Sequence, residues 1–479
     1  MKKTVRPSSL AVAFLLLSFS GCSSKSPRGE SSGAVPASFA NFVRVASYEP
    51  LTGLSIHRYR DSKSGLEVLV SPKPGSEVVA FVTAYNVGSR FEAKGRTGLA
   101  HLFEHMMFRG TENYPEPFKT LSAWGDRFNA YTSFDLTLYH ELVPKQLFNE
   151  AARFEAERMR KLLITPEGFN TERGAVVSER KMRTEDSPFG RLVWELYQTA
   201  YDKHPYQTGP IGWQEDLDAT TYQDALDFYK RFYAPNRAVL SIVGDVTVAE
   251  ALEVVQNNYG GFERQPFEEP KVPKEPARRG VRRRVIPMKA ESVFIGDAVF
   301  GPTYSDPDVA VDSLLASLWG DGKIGYLAAE LVEKGLARSV SADASASVDP
   351  GLSTVFVVGN PGVSLRTLES AYDRARGGFL KWLTPERLES LKLFYLSGQW
   401  EGLRDPMNLA EQLGRASVTA GDPVFEFKFL EQAKKVTLAD IARRWKVWNS
   451  GARTRVIVNP SHKTAPLRRG AATSVKKES

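Results

Sequence analysis

"TGLAHLFEHMMFRG", residues 97–110, sets His101, Glu104 and His105 among apolar neighbours: Leu99, Leu102, Phe103, Met106 and Met107. That spacing predicts a buried helix. Residues three and four apart share a helix face, so the imidazoles of His101 and His105 can point at one site. Two neutral imidazoles so placed suit a divalent metal, and the Glu104 carboxylate can reach a water on the same ion. The order is H-x-x-E-H, the inverse of H-E-x-x-H. With six histidines in 479 residues, chance is a poor explanation for the pattern.

A catalytic zinc takes three protein ligands and keeps a fourth position for water. No further His stands nearby in a suitable helix. "TERGAVVSERKMRTED" (171–186) offers Glu172 and Glu179, i and i+7 on one helix face. That geometry permits one ligand and one supporting carboxylate. Two His and a carboxylate suit zinc without excluding cobalt or manganese.

Outward from this pair, "LEVLVS" (66–71) and "EVVAFVTAYN" (77–86) read as strands around "PKPGS", and "RFNAYTSFDLTLYHELV" (127–143) alternates like a hairpin. Residues 144–163 and 165–183 read as helices, the second opened by Thr165 as cap and Pro166 at its first position. "AVLSIVGDV" (238–246) is an apolar strand. Residues 263–282 lie in a Pro-rich, charged stretch that reads as a linker. The part beyond, 283–460, repeats the outline: strand 292–300, helix 306–319, strands near 337–347 and 352–359, a long helical stretch 364–418, and strand 454–460. The fold class expected is therefore α+β, two layer-sandwich domains (42–262 and 283–460) of similar build, the second without a metal motif.

At the N-terminus, Lys2, Lys3 and Arg6 precede the apolar "SLAVAFLLLSFS", which reads as a signal peptide over 1–21. Cys22, the chain's only cysteine, follows Ser20 and Gly21. This resembles a bacterial lipobox, with Phe19 where Leu is usual, and implies a lipid-anchored, periplasm-facing envelope protein held by a flexible tether, 22–41. A lone Cys excludes internal disulfides and Cys-rich metal sites. Removing the leader takes the net charge from +7 to +4. Most of that excess sits in "ARRGVRRR" (277–284) and in the tail 461–479, read as basic and disordered. Neither run has interleaved aromatics, so nucleic acid is not expected as a partner.

Taken together, "GLAHLFEHMMFRGTENYP", "NAYTSFDLTLYH", "ERGAVVSER", "HPYQTGPIG" and "FYKRFYAPNRAVLSIVGDV" resemble the pitrilysin and insulin-degrading-enzyme family of zinc peptidases, relatives of the mitochondrial processing peptidase. The resemblance covers most of residues 50–460. It implies one zinc ion per chain with His101, His105 and Glu179 as ligands, Glu179 standing 74 residues after His105. It makes Glu104 the general base, Glu172 a supporting carboxylate, and Asn129 and Ala130 part of the strand along which substrate lies.

The chain departs from the family at "ELVEKGLARSV" (330–340). Active members carry an Arg and a Tyr there; Val332 stands near the Arg position and Arg338 at the Tyr position. The expectation is a zinc endopeptidase acting inside a clamshell chamber, as the metal-bearing subunit of a heterodimer whose partner supplies the Arg/Tyr pair. The alternatives are a homodimer in which Arg338 or Tyr326 substitutes, or a noncatalytic core-like assembly subunit.

Overall fold

The computed structural model describes residues 35–462 and 465–467. The signal peptide, Cys22 and the end of the tail lie outside these. Thirteen strands form two sheets among the described residues. Strands β1 (Ser38–Phe39), β2 (Phe42–Leu51), β3 (Leu54–Asp61), β4 (Glu67–Pro72), β5 (Val78–Tyr85), β6 (Phe128–Thr132), β7 (Thr137–Pro144) and β8 (Ala238–Gly244) pair in the order β1-β2-β3-β4-β8-β5-β7-β6. Strands β9 (Arg282–Met288), β10 (Phe294–Phe300), β11 (Ala337–Asp343), β12 (Leu352–Gly359) and β13 (Thr454–Pro460) pair in the order β11-β12-β10-β13-β9.

The two sheets repeat one topology. Reading β4-β8-β5-β7-β6 beside β9-β13-β10-β12-β11 matches each strand to its counterpart in chain order. In both, the only parallel pair joins the first of these strands to the last, β4 with β8 and β9 with β13. Order and length along the chain suggested two similar halves, and this topology bears the similarity out.

The halves exchange helices. Pro406–Ala420, from the second half, packs on β5 and β8, sealing Leu409, Ala410 and Leu413 against Val82, Ala84 and Val239. Pro188–Ala200, from the first half, packs on β10 and β13, placing Leu192 and Leu196 against Phe294, Ala298 and Val456. The strands are counterparts, so the exchange is reciprocal. A glycine sits at each contact: a Cβ on Gly296 would lie 3.2 Å from Leu192 Cγ, closer than ordinary packing, and one on Gly414 would meet Ala84 Cβ at an ordinary 3.4 Å.

Several expectations need correction. The tether does not extend to residue 41: Ser38 and Phe39 pair with Val43 and Phe42. The β2–β3 hairpin escaped the sequence reading because its polarity runs against its burial. Val43 and Val45 are exposed, whereas Arg44 and Ala46 face inward. The stretch 364–418 is three helices, Leu365–Trp382, Pro385–Gly402 and Pro406–Ala420; Thr384 and Asp405 cap the last two, and each has Pro at its first position. The basic run is not a solvated linker throughout. Arg282, Arg283 and Arg284 open β9 and pair with Asp202, Glu369 and Glu195. The tail is anchored at its start, where Arg191 donates to the Ala465 and Pro466 carbonyls at 3.0 and 3.1 Å.

Candidate metal centre

The helix Leu99–Met106 is fixed from its N-terminal end. Its cap, Gly98, has φ +87°, and a Cβ there would lie 2.8 Å from Ile211 O. Only glycine lets the "TGPIG" loop pack so closely. No side chain at the cap position satisfies the first N–H groups. Instead the Glu92 carboxylate accepts from Gly98 N at 2.9 Å and Ala100 N at 2.8 Å. Burial pushes the Glu92 carboxyl up to about 8, against the opposing pull of these hydrogen bonds. Leu102, Phe103, Met106 and Met107 are fully buried, leaving the histidine face for the site.

The second element is the helix Pro166–Arg180, opened by Thr165 Oγ1 accepting from Gly168 N. It ends three residues short of expectation, where the backbone widens into a π-helical turn, Lys181–Glu185. Glu179 Oε2 lies 3.7 Å from His101 Nε2 and 3.3 Å from His105 Nε2. One ligand atom from each of the three residues falls within 4.8 Å of the others. Donors bonded at 2.0–2.1 Å to a tetrahedral ion stand roughly 3.3–3.4 Å apart, so this set fits one zinc-sized cation.

Supporting groups surround the set. Glu172 Oε2 lies 3.4 Å from His105 Nδ1, and Arg109 Nη1 lies 3.3 Å from Glu172 Oε1. Arg183 Nη2 lies 2.5 Å from Glu179 Oε1, so the oxygen that faces away from the histidines is already paired. Glu104 Oε2 accepts from Thr132 Oγ1 at 2.6 Å. Thr132, Arg183, Arg109 and Glu92 were not singled out from sequence. The i, i+4 spacing of Glu179 and Arg183 was a legible signal, whereas Thr132 acts across elements.

In the absence of a cation, burial and the neighbouring His105 push His101 down to about 4. Burial also opposes the charge on His105, but hydrogen bonds to Glu172 and Glu179 outweigh it and raise the imidazole to about 9. The hydrogen bond to His105 holds Glu179 below the usual range. Burial raises Glu104, with the Thr132 hydrogen bond acting against it.

Asn129 and Ala130 lie on β6, opposite His140 and Tyr139 of β7. Strand β6 is an edge of its sheet, and Asn129 is exposed while Ala130 is buried. The second-half residues are not brought into the cluster. Glu330–Val332 sit in a π-helical turn. Arg338 is exposed on β11, its guanidinium 5.9 Å from the Phe294 ring. Tyr326 is 6% exposed and packed among Trp319, Phe379 and Trp382.

Residues 67–210 match the family described as Insulinase (Peptidase family M16), and residues 219–387 match the Peptidase M16 inactive domain. The chain is 31% identical over 335 residues to the zinc protease PqqE of Helicobacter pylori, covering 68% of this chain and 74% of that one. It is 24% identical over 405 residues to a probable mitochondrial-processing peptidase subunit beta of Schizosaccharomyces pombe, covering 80% and 86%. Among solved structures, the crystal structure of a protease from Helicobacter pylori superposes with a TM-score of 0.79 at 27% identity, covering 83% of this chain and 98% of that one.

Proposed function

The chain belongs to the M16 peptidase family, and on that premise we propose that it is a zinc-dependent endopeptidase with His101, His105 and Glu179 as ligands and Glu104 as general base. The observation that carries this is the convergence of both imidazoles on Glu179 Oε2, with Glu104 presented from the same helix. A zinc ion bound by these residues would supply a Lewis acid for the scissile carbonyl and would make a water acidic near neutral pH. Glu104 then takes a proton from the attacking water and passes it to the departing amine nitrogen, so the peptide bond breaks with no net proton uptake. Thr132 holds the carboxylate through one oxygen and leaves the other to move the proton. Glu172 orients His105 by its second ring nitrogen.

The edge of β6 at Asn129 and Ala130 offers backbone groups to an extended peptide, which would add as a further strand. Peptides and unfolded segments offer such a strand most readily and are the substrate class this edge suits. The developing oxyanion needs a further donor. Val332 and Arg338 stand where the family carries Arg and Tyr, so we assign that donor to a homologous partner chain. The leader-like N-terminus and the lipobox-like Cys22 support a lipid-anchored position in the bacterial envelope.

The test is peptide hydrolysis by the chain alone and mixed with a homologous chain that lacks H-x-x-E-H but carries the Arg and Tyr. The proposal expects hydrolysis to rise strongly in the mixture; equal rates with and without the second chain would remove the partner.

A further inference from the structure

A cavity of about 330 Å³ opens where β3, β4 and the start of β8 meet the connector after residue 262 and the end of the Pro406–Ala420 helix. Arg58, Arg60, Arg237 and Arg264 line it, and Glu67 is the only carboxylate among its lining residues. Glu67 is already shared, lying 2.7 Å from Arg58 and 3.4 Å from Arg60 and accepting from Ser417. Two of the guanidinium groups are inside the protein, with side chains 15% exposed at Arg58 and 5% at Arg237. The Nε of each is buried without a hydrogen-bond partner. Arg237 Nη1 lies 3.6 Å from Glu269, itself more than half exposed, while Nη2 donates to Asn86 O and the guanidinium sits 3.6 Å from the Phe267 ring centroid. Burial lowers the Arg237 guanidinium to about 10.

Arg264 is held there by construction. Asn236 clamps the next residue twice, Nδ2 donating to Gln265 O at 3.1 Å and Oδ1 accepting from Gln265 N at 3.0 Å. Gly65, at φ +80°, makes room: a Cβ there would lie 2.8 Å from Arg264 Nη1. No carboxylate of a described residue is within ion-pair range of Arg264. Counting Glu67 and the Glu269 beside Arg237, the four guanidinium groups leave an excess of two positive charges, and charge drawn from water is unfavourable unless paired. Guanidinium forks match tetrahedral oxyanions, and a single carboxylate would neutralise only one of the two.

We propose that this cavity binds a small oxyanion of two or more negative charges, a phosphate-class group, free or as a lipid headgroup. The site draws Arg58, Arg60 and Arg237 from the first half, Arg264 from the connector and Ser417 from the second half, so its ligand ties the halves together and stabilises the fold by mass action. This inference does not depend on the peptidase reading.

The experiment titrates the full-length chain with inorganic phosphate by calorimetry and thermal unfolding, against sodium chloride at equal ionic strength. In parallel, the chain is sedimented with phosphatidic acid and phosphatidylcholine vesicles. Saturable phosphate binding with a Tm rise beyond that in chloride assigns a free anion. Capture by phosphatidic acid vesicles alone assigns a headgroup. In either case the double variant Arg60→Gln/Arg264→Gln, altered at two exposed side chains, should lose affinity at least about tenfold while keeping the Tm of the unliganded chain and its peptide hydrolysis. A phosphate response equal to that of chloride together with no vesicle capture, or unaltered binding by the double variant, overturns the proposal.

Discussion

At the residue scale, the centre is two histidines whose protons behave oppositely, His101 lowered to about 4 and His105 raised to about 9. A metal needs both neutral, so it competes with the proton on His105. Apparent zinc affinity should therefore climb with pH, by up to about tenfold per unit, and flatten above about 9, as read by chelator competition. In the metal-free protein the sign is opposite. The folded-state value lies above the usual 6.5, so that contribution to stability is complete below about 6.5 and is lost as pH rises through about 9. Arg183 occupies the Glu179 oxygen that faces away from the histidines, so Arg183→Met should weaken zinc binding about 10- to 100-fold; an unchanged zinc Kd would make the pair incidental. Periodicity on one helix made His101, Glu104 and His105 legible in the sequence. Glu179 needed the family resemblance, because spacing alone did not choose between it and Glu172. Thr132 was hidden, since its bond to Glu104 exists only once β6 and the metal helix are packed.

At the element scale, the strands bordering the metal helix and the capped helix from Thr165 follow from alternation and cap chemistry. The exchange of Pro188–Ala200 and Pro406–Ala420 does not, because an apolar stripe says that a helix is covered without saying by which sheet. Glycine marks both contacts, and Gly414 sits 3.4–3.7 Å, by its missing Cβ, from Ala84, Val82 and Ser241. Gly414→Leu should overpack that contact and cost about 1–3 kcal/mol. Leu192→Ala, at the reciprocal contact, should cost about 2–5 kcal/mol through the cavity it leaves. Denaturant unfolding measures both, and an unchanged midpoint for either would mean that the helix is not seated as described.

At the scale of the whole molecule, one topology occurs twice and each copy lends the other a helix. The described part from Pro36 onward forms one contact unit, so a chain ending at residue 262 should show no cooperative unfolding transition by circular dichroism. It would lack the helix over Val82, Ala84 and Leu138 and leave Leu192 and Leu196 without their sheet. Only the first copy carries the metal motif, and the second has Val332 and Arg338 at the positions where the family resemblance leads one to expect Arg and Tyr. On the proposed reading Glu104 is the proton carrier of this chain. The most direct test compares wild type and Glu104→Gln for zinc content and peptide hydrolysis, each with the partner that gives wild type its highest rate. The account predicts about one zinc per chain in both and hydrolysis lower by about a hundredfold or more in the variant; full activity in Glu104→Gln would contradict it.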